Sequence, residues 1–167
     1  MSIDRITYTA FVVALLGGLF GIGSASAESM DCSRSEERMG LPPADILTVT
    51  NDRQLLQWKD VHNISSKNPE FDGIVATLYE HDDHIRGTGT HVGYEMYPLK
   101  SGEVLWIKYE GVHSTTMKGE VWEITFQGVS HFIAGTGKYK AIRGVAHYHG
   151  KNSAAGLTAD VFCEAVY

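Results

Sequence analysis

The sequence predicts an all-β domain: a small antiparallel β-barrel of about eight strands with an extended N-terminal lead-in. Three observations point there. From Phe71 onward, runs rich in β-branched and aromatic residues recur at short intervals. The connections carry Gly87, Gly102, Gly111, Gly119, Gly135, Gly137 and Gly150. No helical periodicity rivals that pattern after residue 70. The same spacing also suits a β-sandwich, which the pattern alone does not separate from a barrel.

The elements follow in order. Residues 1–27 read as a signal peptide. Arg5 and the α-amino group make a weakly positive start, Ile6 to Gly23 carries no charge, and Ala25-Ser26-Ala27 offers a small-residue cleavage site. An uncleaved anchor is the rival, since a span needs roughly 20 apolar residues; the four glycines of that run and the cleavage site argue against it. Export, to the periplasm or outside the cell, is therefore expected, leaving 140 residues as one domain.

Residues 28–70 read as a lead-in packed on the barrel, with Pro42-Pro43 blocking any helix there. Within it, 51–61 fits a short helix capped by Asn51 or, equally, an edge strand. Residues 63–70 are turn-rich and read as a loop. The barrel domain spans 71–167, with strands expected near 73–80, 89–97, 103–110, 119–127, 129–134, 140–149 and 156–166.

Net charge is −6, and the single Arg and Asp of residues 1–27 leave that balance unchanged on cleavage. A mildly acidic chain without a basic stripe is a poor nucleic-acid binder, and charge does not draw it to an anionic membrane. Its two cysteines, Cys32 and Cys163, pair by default in an oxidising compartment. The bridge would staple the lead-in to the last strand; the rival is a buried Cys163 and a loose Cys32.

The most specific stretch is Ile133-Ala134-Gly135-Thr136-Gly137-Lys138-Tyr139-Lys140-Ala141-Ile142-Arg143-Gly144. It resembles the G-T-G-x-[FY]-x-x-[AI]-[RK]-G signature of dirigent proteins and allene-oxide-cyclase-like barrels. Gly135, Thr136 and Gly137 suit a tight turn, Tyr139 would pack that turn on the barrel end, and Gly144 would admit a close neighbour. Ile74–Glu80 followed by Arg86-Gly87-Thr88-Gly89-Thr90 resembles the first hairpin of that barrel. The likeness covers about 71–167 and does not reach 28–70. It implies an apolar interior that holds a small reactive molecule in one shape, with cyclase- or isomerase-like chemistry where there is any, and a homodimer or homotrimer.

For a ligand site the aromatic and polar strand residues are the candidates. Tyr94, Trp106, Tyr109 and Trp122 are read as walls, with Tyr97 and Phe126 near them, and Glu95 and Lys108 as groups able to move a proton or hold a charge. Against this, Trp and Tyr on strands usually pack a core, and Lys108 and Glu123 suit an exposed cross-strand pair.

Eight histidines raise the question of metal. His81-Asp82-Asp83-His84, with His91 beyond, is the densest group, and His147 and His149 share a strand face. Both also suit solvated surfaces; the first matches no standard ligand spacing, while a His-x-His pair on a strand is a metal-binding arrangement in other barrels, and no cofactor is expected. The nucleophile elbow, the P-loop and the dinucleotide-binding glycine pattern are absent. Three readings remain: a barrel binding a small apolar or phenolic molecule and steering an isomerisation, cyclisation or coupling; a histidine-based metal protein; and a non-catalytic oligomeric module.

Overall fold

The computed structural model describes residues 27–167. The signal-peptide segment read at 1–27 falls, apart from Ala27, outside the described residues. The described chain is all-β and antiparallel, with ten strands in one sheet. These are β1 (Ser29–Asp31), β2 (Arg34–Met39), β3 (Ala44–Thr50), β4 (Arg53–Ser66), β5 (Val75–Ile85), β6 (Thr88–Pro98), β7 (Val104–Lys118), β8 (Val121–Gly135), β9 (Arg143–Ser153) and β10 (Gly156–Val166). Among the described residues no helix is long and apolar enough to cross a membrane.

The strands run up and down, and the pairings form a closed circuit. From β4 to β10 each strand pairs with the next. The ring closes through β2, which lies between β10 on one edge and β4 on the other. The first three strands are one path along these neighbours. β1 and β2 run along β10 in a single register, Ser29 opposite Val166 and Arg34 opposite Val161. β2 and β3 lie on the same edge of β4, at Arg34–Ser66 and Ala44–Trp58. Between them the chain leaves the edge at Gly40–Pro43, because Pro42 and Pro43 have no N–H to give a ladder.

Residues 28–70, read as a lead-in, thus supply ring strands. Residues 53–66 form one strand flanked on both edges, neither a helix nor an edge strand, and the loop expected at 63–70 begins after Ser66. The regions 119–127 and 129–134 are likewise one strand. Gly128 does not break it but sits in register with Gly111.

Cys32 and Cys163 form the expected disulfide, Cα atoms 4.9 Å apart. The Cys32 N–H donates to the Cys163 carbonyl (3.1 Å), so the bridge spans the closing seam. A disulfide across 131 residues stabilises by roughly 2–5 kcal/mol.

The core fills one end of the ring. Phe71, Ile74, Tyr97, Leu99, Leu105, Tyr139, Ile142 and Ala165 are buried there with Met30 and the disulfide. Each large apolar side chain buried contributes about 1.5–3 kcal/mol. The G-T-G turn sits at this end. Thr136 Oγ1 accepts from the Val104 N–H (2.7 Å), Gly137 takes φ +55°, and a short 3-10 turn (Gly137–Ala141) drives Tyr139 into the core at 1% exposure. Gly144 lies against Glu164 and Ala165 of β10. The motif forms the apolar floor; the hairpin ends of β5–β6 and β7–β8 lie at the opposite end.

Candidate functional site

Strand parity decides what enters the ring, because alternate side chains point to opposite faces. On β2 the inward positions are Arg34, Glu36 and Arg38; on β4 Trp58, Asp60 and His62; on β5 Glu80, Asp82 and His84. β6 contributes His91 and Glu95, β7 Tyr109 and His113, β8 Phe126 and Ser130, and β9 Tyr148. All of these line one cavity of about 100 Å³ above the apolar floor. Its lining mixes many ionisable side chains with apolar ones, where the resemblance implies an apolar interior.

The lower part is an ion network. Arg34 Nε donates to Glu36 Oε1 (2.9 Å), and its guanidinium also bonds the Tyr97 hydroxyl and lies over the Tyr97 ring (4.4 Å). Tyr97 bonds both Glu36 and Glu95. His62 Nδ1 meets Glu36 Oε2 at 3.0 Å and lies 3.7 Å from Glu95 Oε1. Asp60 lies 3.4 Å from His62 Nε2 and pairs with Arg38 at 2.9 Å. Buried charges persist only when paired, and here three cations face three carboxylates.

The network divides its acids. Burial raises every carboxyl, but Arg34 and His62 overcome it at Glu36, which falls to about 2. Glu95 goes the other way: burial, and then the Glu36 charge, push it up to about 7. At His62 burial favours the neutral ring, yet the nearby Asp60 and Glu36 carboxylates outweigh that and raise it to about 10. The cluster therefore surrounds one carboxyl that changes state near neutrality with fixed anions (Glu36, Asp60) and fixed cations (Arg34, Arg38, His62).

The upper part is organised differently. Asp82 and His84 share the inner face of β5, and His113 reaches them from β7. Gly89 of β6 pairs with both His84 and His113 and puts no side chain between them. The two rings meet over it with centroids 4.0 Å apart. His91 instead bonds Tyr148 through Nε2 (2.7 Å). Trp58 Nε1 donates to Asp82 Oδ2 (2.7 Å).

Six buried side-chain atoms have no hydrogen-bond partner among the described residues: Arg38 Nε, His62 Nε2, Asp82 Oδ1, Glu95 Oε1, Tyr109 Oη and His113 Nε2. Every one belongs to a residue that lines this cavity. An unsatisfied buried polar group costs about 1–3 kcal/mol, so six of them around one space call for partners there.

The structure sorts the residues picked from sequence. Glu95 is 4% exposed and central, and Tyr109 lines the wall. Trp122 shares the parity of Phe126 but sits near the far hairpin, opposite Met117 and outside the cavity lining. Tyr94, Trp106 and Lys108 are corrections. If Glu95 points in, Tyr94 must point out, where it is 50% exposed. Lys108 is registered beside Tyr94 on that outer face, with Glu110 at 4.0 Å, and Trp106 shares its parity.

Among the histidines, His84 and His91 point in and His81 points out, so the three do not form one group. His147 and His149 are exposed on the outer face, His149 stacked on Phe162 (5.8 Å). Sequence reasoning missed Arg34, Glu36, Asp60, His62 and His113. The available signal was alternation: His113 continues the Leu105, Ile107, Tyr109 series, and Asp60 and His62 alternate with exposed Lys59, Val61 and Asn63. Comparison with protein-family models, with curated proteins and with solved structures finds no match to this chain.

Proposed function

We propose that this chain is an exported β-barrel of the allene-oxide-cyclase/dirigent kind that binds a small, ring-sized molecule with polar substituents and moves a proton on it. The single observation that carries the reading is that all six residues with an unpartnered buried polar atom line one cavity. The closed circuit of strands and the G-T-G turn support the fold, and the buried disulfide supports export.

The cavity's size and lining narrow the occupant. About 100 Å³ holds several waters or one small ring, and Tyr109, Phe126 and Tyr148 give aromatic walls. A phenol, or a cyclic ketone able to enolise, fits better than a purely apolar molecule, because it can satisfy the unpaired donors and acceptors. Glu95, held near 7, is matched to exchange a proton at neutral pH. The Tyr109 hydroxyl, buried and unpartnered, is the donor for the oxygen on which charge develops. Isomerisation by proton transfer beside a carbonyl is thus the reaction class.

The test is conversion of 3-cyclohexenone to its conjugated isomer, followed by ultraviolet absorbance. Wild type should accelerate it, and Glu95→Gln should lose on the order of 10²-fold or more in kcat. No acceleration with this or any other single-ring enolisable ketone would end the catalytic claim. An equal rate in Glu95→Gln would remove Glu95 from it.

A further inference from the structure

We propose that Asp82, His84 and His113 form a site for one divalent transition-metal ion of the zinc class at the upper end of the cavity. Their ligand atoms all lie within 4.8 Å of one another. His84 Nε2 and Asp82 Oδ2 are 3.4 Å apart, long for a hydrogen bond. Two ligands on a tetrahedral ion with bonds of about 2.0–2.1 Å stand roughly 3.3 Å apart, so this spacing suits a shared ion.

The second observation is unpartnered burial. Asp82 is 8% exposed and its Oδ1 has no hydrogen-bond partner among the described residues; His113 is 5% exposed and its Nε2 has none. Trp58 Nε1 donates to Oδ2, the same oxygen that faces His84, and so orients the carboxylate whose Oδ1 is left without a partner. Gly89 is what permits the two imidazoles to converge. A Cβ there would lie 3.2 Å from His113 Nε2 and 1.7 Å from the Asp83 carbonyl oxygen.

The neighbouring group Glu36, His62 and Glu95 is a useful contrast. It has the same ligand types at similar spacing, but Arg34 already neutralises Glu36. No Arg or Lys among the described residues forms an ion pair with Asp82; the imidazole of His84 lies beside it. Two imidazoles and one carboxylate suit zinc and its first-row neighbours over calcium or magnesium. Three protein ligands leave a coordination position open, and all three residues line the cavity, so a ligand oxygen can reach the ion.

The site does not depend on proton transfer by Glu95: zinc binding without isomerase activity, or the reverse, separates the two claims. The experiment is titration of tag-free, chelator-treated protein with Zn²⁺, read by calorimetry and bound-metal analysis. One equivalent is expected, with X-ray absorption showing two imidazole nitrogens. His84→Ala and His113→Ala should each weaken binding at least tenfold, while the double variant His147→Ala/His149→Ala keeps it. His84 is the less buried of the two ligands, so its variant serves if His113→Ala fails to fold. Substoichiometric zinc, binding unchanged in His84→Ala, or binding lost with His147 and His149 overturns the proposal.

Discussion

The two ends of the ring solve opposite problems with the same strands. At the floor, Phe71, Leu99, Tyr139 and Ile142 exclude water, and the Cys32–Cys163 bridge locks the seam. Above it, the same alternation delivers Glu36, Asp60, His62, Asp82, Glu95 and His113 to the interior. The floor satisfies itself by packing. The upper interior leaves polar atoms unpaired, which costs stability that the floor does not lose. One end provides stability; the other holds buried polar groups at some cost to it.

The junction between the ends should be the most sensitive place. Arg34→Met leaves Glu36 buried beside Glu95 without its strongest partner, and is expected to cost about 3–5 kcal/mol in urea denaturation. A loss under 1 kcal/mol would mean that the network does not bridge the two ends as described.

The seam comes next. Cys163→Ala should cost roughly 2–5 kcal/mol, read the same way under oxidising conditions, and added reductant should lower wild type toward the variant. Equal stability of wild type with and without reductant would contradict the staple.

A subtler difference concerns pH. Because the folded state raises Glu95 to about 7 from an ordinary 4.5, it holds a proton that the unfolded chain releases. Relative to Glu95→Gln, wild-type stability should be level below pH 4.5, fall as pH rises from 4.5 to 7, and level off above. The drop should be on the order of 3 kcal/mol. A wild-type curve parallel to the variant's would show that Glu95 titrates normally. The smallest effect belongs to the outer face: Tyr94→Ala should change stability by no more than about 1 kcal/mol and leave ligand binding intact.

Much of the floor was legible in the chain. The G-T-G turn, Tyr139 and the cysteine pair each carry a local signature that means the same thing in sequence and in structure. The interior was not legible, for a physical reason. Hydrophobic alternation identifies a buried face only where that face is apolar. On β2 the buried residues are Arg34, Glu36 and Arg38, so the strand looks like a solvated tail. On β4, Asp60 and His62 take inward positions and blur the period, which left 51–61 ambiguous. On β6 the alternation was readable, but it admits two registers. Choosing Tyr94 and Glu95 together as lining placed neighbours of opposite parity on one face. His113 was hidden because its partners His84 and Asp82 lie two strands away, and only Gly89 between them brings the rings together.

The central claim, that the unpaired polar interior is a ligand site, is tested most directly by equilibrium binding of 4-nitrophenol followed by its absorbance. Wild type and Tyr94→Ala should bind one equivalent saturably, and Ser130→Leu, which places a larger side chain in the cavity, should lose that binding while remaining folded. Absence of saturable binding in wild type, or equal binding in Ser130→Leu, would contradict the account.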